Sequence, residues 1–140
     1  RADHVALRAV LPAAADRVSA LRATLGPKFT ILSGDDSLTL PFMAVGAQGV
    51  ISVASNVIPR QVTQMVRAFA AGKARAALRL HQQYYPLFKD LFIESNPVPV
   101  KAALAMLGQI EEEHPLPLVP LSAKNREILH PTMKAVGVLK

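Results

Sequence analysis

The sequence predicts an α/β chain that is mostly helical, and three observations lead there. Two short apolar runs, 29–33 and 49–53, are β-prone and bounded by glycine or proline. Between and after them, apolar residues recur at helical spacing. Glycine closes most of those helical stretches, as a left-handed residue at a helix C-terminus does.

The opening, 1–15, reads as an atypical segment, either vector-derived or a strand over His4 to Val10, since the chain starts at Arg1 rather than methionine. From Asp16 the register clears. Val18, Leu21 and Leu25 fall on one helical face, and Gly26-Pro27 stops that helix. Residues 29–33 form the first secure strand. Gly34 closes it, and Asp36 stands where the N-cap of a short helix over 38–45 belongs. Gly46 ends that helix and 49–53 is the second strand. Strand, short helix and strand make a βαβ unit with parallel neighbours. After Pro59, the spacing of Val62, Met65, Val66 and Phe69 predicts an amphipathic helix ending at Gly72. Ala77, Leu80, Tyr84, Leu87 and Leu91 extend a further helix over 73–92, kinked at Pro86. A turn at Ser95-Asn96-Pro97, expected with a trans peptide bond, leads to a helix over 100–107 closed by Gly108. Glu111, Glu112 and Glu113 read as a solvated run, and 116–121 holds too much proline for a helix interior. Ser122 caps a last helix that Gly137 stops.

Composition excludes several function classes. The 140 residues are 51% hydrophobic, enough for one domain with a sizeable core. No apolar run reaches the length of a membrane span, and the N-terminus lacks a signal-peptide layout, so a cytoplasmic protein is expected. With no cysteine, and with His4, His81, His114 and His130 at no ligand spacing, neither a metal nor a cofactor is expected. The formal charge of +6 comes from scattered lysines and arginines, and aromatics make up 5%, so no nucleic-acid surface is expected. Two parallel strands cannot stand alone, because a parallel sheet needs both faces covered. The sheet must be completed by the opening residues, by a second copy, or by a complementary fragment.

Four motifs add a resemblance. The run Leu32-Ser33-Gly34-Asp35-Asp36, the strand Gly49 to Val53 with Asn56, the segment from Phe92 through Glu94, Asn96, Pro97 and Pro99 to Lys101, and the Pro-rich 116–121 stand in order along the chain. Together they resemble dihydrodipicolinate synthase, a class I aldolase family of the N-acetylneuraminate lyase superfamily. The likeness runs from about Asp16 to Leu139. It implies a partial (β/α)8 TIM barrel, the last βα units over 16–71, followed by a C-terminal all-α helical domain over 72–140. The family condenses pyruvate with aspartate semialdehyde in lysine biosynthesis through a Schiff base on a lysine. Counting back from Gly34, that lysine's position falls at Ala9, and its surrounding motif is absent. By the same resemblance Gly34 leaves room beside the pyruvate imine and Ile51 packs against it.

Each of these residues also has a plainer reading. Gly34 suits a strand-to-helix turn by its backbone freedom, and Ile51 suits the core of an apolar strand. Asp35 and Asp36 could be an acid/base pair on the catalytic face, but a helix cap explains one of them. Lys101 reads as a surface or interface residue rather than a nucleophile, and His81 as a partly buried structural histidine. The sequence therefore points to a lyase-family chain with no catalytic residue of its own, inactive alone. Its expected partners are a second copy of itself or a complementary N-terminal half-barrel, with pyruvate bound only when completed. The alternative is a non-catalytic, self-assembling half-barrel with a scaffold or binding role.

Overall fold

The computed structural model describes residues 4–7 and 14–140. In chain order it contains β1 (His4–Leu7), α1 (Ala14–Leu25), β2 (Thr30–Ser33), α2 (Thr39–Ala44), β3 (Gly49–Val50), α3 (Pro59–Ala70), α4 (Ala74–Asp90), α5 (Val98–Met106) and α6 (Ala123–Ala135). Short 3₁₀ turns, Asp36–Leu38 and Ala54–Asn56, follow β2 and β3. The three strands form one parallel sheet in the order β1-β2-β3. The opening residues thus supply the third strand, pairing His4 with Thr30 through Leu7 with Ser33.

Alternation along β2 turns Ile31 and Ser33 to one face, where both are fully buried. Ile31 packs there with Val18 of α1, Phe42 of α2 and Ala47 in a small apolar cluster. Gly26, at φ 74°, ends α1 in the left-handed region that favours glycine. The side chain of Arg22 holds the neighbourhood together. Its guanidinium donates to the carbonyls of Gly26 (2.9 Å), Phe29 (2.8 Å) and Gly46 (2.5 Å), so one residue satisfies the chain ends after both α1 and α2.

A much larger core lies among the helices. Val62 and Met65 of α3, Ala77, Tyr84, Leu87 and Phe88 of α4, Ala102 and Ala103 of α5, and Leu129 and Met133 of α6 are buried in one continuous cluster. Helix α4 packs against both α3 and α6, and α5 against α6. The helix α4 continues through Pro86, so the expected kink does not break it. Helix α5 starts earlier than expected, at Val98. Pro99 is in its first turn, where a missing N–H costs nothing. The Asn96-Pro97 peptide bond, expected trans, is cis, as is Leu116-Pro117. Ser122 caps α6 as expected, accepting from the N–H of Asn125.

Candidate functional site

The candidate site lies where β2 and β3 end side by side. Their pairing sets Leu32 against Gly49 and Ser33 against Val50. One step on, the N–H of Ile51 donates to the carbonyl of Ser33 at 2.8 Å. Gly34 and Ile51 therefore leave the sheet together, at the C-terminal ends of adjacent parallel strands. The expected strand over 49–53 is shortened to two residues. Ile51 is 57% exposed, which corrects the expectation of a core residue. The physical reason is that the chain turns away immediately after Val50.

Asp36 causes that turn. Its side chain, 1% exposed, receives the N–H groups of Val53 and Ala54, both at 3.0 Å, and the hydroxyl of Ser52. Three donors from the loop after β3 thus converge on one carboxylate from the turn after β2, fixing the two strand ends relative to one another. Burial pushes the carboxyl above its ordinary range, against the opposing pull of the Ser52 hydroxyl and the two N–H groups. This arrangement also corrects the cap assignment. Asp35, not Asp36, is the N-cap: its side chain accepts from the N–H and the hydroxyl of Ser37, each at 2.8 Å. The two carboxylates serve different partners, one in its own turn and the other across to the next loop. The acid/base pair considered from sequence is not brought together.

Buried hydroxyls complete the frame. Ser33, fully buried, donates to the carbonyl of Asp35 at 2.7 Å and accepts its N–H at 3.1 Å. Thr39, also fully buried, donates to the carbonyl of Asp36 at 2.9 Å. The Ser52 oxygen accepts the N–H of Ser55 at 2.8 Å. Sequence reasoning passed over Ser33 and Ser52, and the available signal was a hydroxyl at or next to the end of each apolar run. Such a residue can satisfy the backbone where a buried strand ends.

The other singled-out residues lie elsewhere. Ala9 is outside the described residues. Lys101, on α5, donates to the carbonyl of Glu113 at 2.6 Å. His81, on α4, has its ring centroid 5.8 Å from those of Tyr85 and Phe88, and burial holds its imidazole below the ordinary value. Glu94, inside one of the quoted motifs, was given no role from sequence. It accepts from the hydroxyl of Ser122 (2.7 Å), the side chain of Asn125 (2.7 Å) and the N–H of Ser122 (3.1 Å), tying the start of α6 to the turn after α4. Among the described residues no group of three histidines, cysteines or carboxylates could hold a metal, and no helix is long and apolar enough to cross a membrane.

These features can be set beside known proteins. A model of the dihydrodipicolinate synthetase family matches residues 7–136. The 4-hydroxy-tetrahydrodipicolinate synthase of Aquifex aeolicus is 52% identical over 119 residues, 85% of this chain and 40% of that protein. The solved structure of the corresponding enzyme from Methylacidiphilum fumariolicum SolV superposes with a TM-score of 0.88 at 52% identity, over 94% of this chain and 44% of that one. A chloride-inhibited dihydrodipicolinate synthase from Acinetobacter baumannii, solved in complex with pyruvate, gives a TM-score of 0.86 at 35% identity, over 91% and 44% of the two chains. The chain thus spans less than half the length of these relatives, and within that span its sequence and fold agree with theirs. The chain belongs to the dihydrodipicolinate synthetase family.

Proposed function

We propose that this chain supplies one wall of a pyruvate-binding aldolase site, with the strand ends around Gly34 and Ile51 as that wall. The observation behind this is their juxtaposition: the Ile51 N–H donates to the Ser33 carbonyl at 2.8 Å, and Ile51 is left 57% exposed at the end of a parallel sheet. Barrel enzymes place their chemistry on that end of their strands. In this reading 16–71 is the last part of a (β/α)8 barrel and 72–140 its helical extension. The reaction served is condensation of pyruvate with aspartate semialdehyde in lysine biosynthesis, in the cytoplasm.

The reaction begins when an amine attacks the keto carbon of pyruvate and water is lost as the C=N bond forms. That amine must be neutral and held in a desolvated site. None of Lys28, Lys73, Lys89, Lys101, Lys124, Lys134 and Lys140 stands in the turn after a described strand, and the family position of the reactive lysine falls at Ala9. The chain alone is therefore inactive. Activity requires the earlier strands and their lysine, preceding these residues in one polypeptide or supplied by a complementary N-terminal half-barrel, with homo-oligomer formation as the other means of covering the sheet.

Borohydride reduction in the presence of pyruvate tests this. The chain alone gains no mass. Co-expressed with strands one to six of a related synthase, it associates, and the partner's lysine is trapped. Replacing Gly34 by valine abolishes trapping while association persists. Undiminished trapping in Gly34→Val shows Gly34 to be only a turn residue, and trapping on the isolated chain overturns the inactivity. Stable self-assembly with no association and no trapping favours the scaffold reading.

A further inference from the structure

A side chain outside the core takes its position from the backbone that carries it, and Ile51 is such a residue, 57% exposed and in neither apolar cluster. That backbone is held on both sides. Before the side chain, the Ile51 N–H donates to the Ser33 carbonyl at 2.8 Å. After it, the next three residues are tied to one carboxylate: Ser52 donates its hydroxyl to Oδ1 of Asp36, and Val53 and Ala54 donate their N–H groups to Oδ2, each at 3.0 Å. Ser55 locks onto Ser52, donating its N–H to the Ser52 hydroxyl oxygen at 2.8 Å and its own hydroxyl to the Ser52 carbonyl at 2.9 Å. Asp36 is 1% exposed, and its carbonyl accepts the hydroxyl of the fully buried Thr39 at 2.9 Å. A chain of hydrogen bonds thus runs from the buried turn after β2 to the residue that follows Ile51.

Asp36 is too deeply buried to meet a substrate, so any part it plays at the site is exerted through Ile51. Hydrogen bonds fix distance and direction more closely than apolar contact does, and a buried acceptor with three donors tolerates little movement of any of them. Resting on the reading of Gly34 and Ile51 as the wall of a pyruvate site, we propose that Asp36 is a positioning residue for substrate selection. By clamping 52–54 it sets how far the Ile51 side chain stands from the bound 2-oxo acid, and so confines the site to pyruvate. A wall on a slack loop gives way to a longer 2-oxo acid, whereas one held at both ends refuses it. Pyruvate and 2-oxobutanoate differ by one methylene, which an apolar pocket distinguishes by about tenfold or more.

Competition tests this in the assembly of the chain with strands one to six of a related synthase. Borohydride trapping is run with pyruvate and 2-oxobutanoate together, and the ratio of the two adducts is read by mass. Both acids meet the same assembled fraction, so loss of folded protein alone leaves the ratio unchanged. The parent favours pyruvate. Asp36→Ala, which releases all three donors, lowers that preference by about tenfold. Asp36→Asn, which keeps an oxygen for the Val53 and Ala54 N–H groups, restores most of it. Ser52→Ala leaves the carboxylate and both amide bonds in place and moves the ratio in the same direction by less, and it serves where Asp36→Ala does not assemble. Ser122→Ala, which loses its cap at the start of α6, keeps the parent ratio. A parent assembly that traps neither acid overturns the reading of the pocket wall, and the inference with it. Trapping by the parent with no preference for pyruvate, a preference undiminished in Asp36→Ala and Ser52→Ala, or an equal loss in Ser122→Ala overturns the inference alone.

Discussion

Among the residues whose side chains are described, the apolar cluster around β2 has four buried members, Val18, Ile31, Phe42 and Ala47, whereas among α3 to α6 and the segments beside them it has nineteen. The polar contacts run the other way. The sheet end is bound by Arg22 to three carbonyls, by Asp36 to three donors and by Ser33 and Thr39 to the turn between them. Directional bonds fix where strand ends and loops sit, which a site at those ends requires, while apolar burial supplies cohesion with little demand on register. The proposed site would thus be framed by a region held mainly by directional bonds, with the larger apolar core among the helices.

Truncation in the larger core should have the greatest effect. Leu87, fully buried at the meeting of α4 with its neighbours, is a clean target, and Leu87→Ala should cost about 2–5 kcal/mol in urea unfolding through lost transfer energy and the cavity left behind. A cost under about 1 kcal/mol would mean that the helices repack freely and the contrast is overstated. Next comes Asp36→Ala, which strands the Val53 and Ala54 amides and the Ser52 hydroxyl and should cost about 1–3 kcal/mol, the penalty for unsatisfied buried groups. Its exchange signature should be local, with protection lost at Val53 and Ala54 but kept in α4. Asp36→Asn separates charge from shape. Because burial raises this carboxyl, the folded chain binds its proton more readily, so the parent loses stability relative to the asparagine variant as pH rises from about 3.8 through the raised value. The smallest effects come from the caps. Asp35→Ala and Ser122→Ala should each cost about 1 kcal/mol. The first should loosen the 36–38 turn and the second the start of α6, and matching exchange patterns would break the comparison.

Much of this fold is legible in the sequence because it rests on local rules. Gly26 and Gly72 end helices where expected, Ser122 starts one, and the apolar spacing of α3 and α4 marks the faces that meet in the core. The parallel pairing of β2 and β3 follows from the short crossover between them. What escaped depends on contacts distant in sequence. Asp36 looks like a cap because an aspartate before a short helix usually is one, and only the approach of Val53 and Ala54, seventeen and eighteen residues on, gives it a different partner. Glu94 meets Ser122 across twenty-eight residues. Glu112 looked solvated in an acidic run until α6 brought Arg126 to it. At the candidate site the place of Gly34 just after β2 was legible, but neither the end of β3 before Ile51 nor the exposure of Ile51 was, since an isoleucine in an apolar run ordinarily lies inside a strand.

The carbonyl clasp made by Arg22 has a consequence for how the molecule comes apart in acid. Its acceptors are backbone oxygens, which hold no proton at any pH a protein meets, and its guanidinium stays charged throughout. The ties at the start of α6 are instead carboxylates held below their ordinary range, Glu94 by Ser122 and Asn125, and Glu112 mainly by Arg126 against the opposing effect of burial. Their contribution is present above about 4.5 and disappears as pH falls through their lowered values. Acidification should therefore release α6 and the 107–122 segment first, while the clasp beside the sheet still holds.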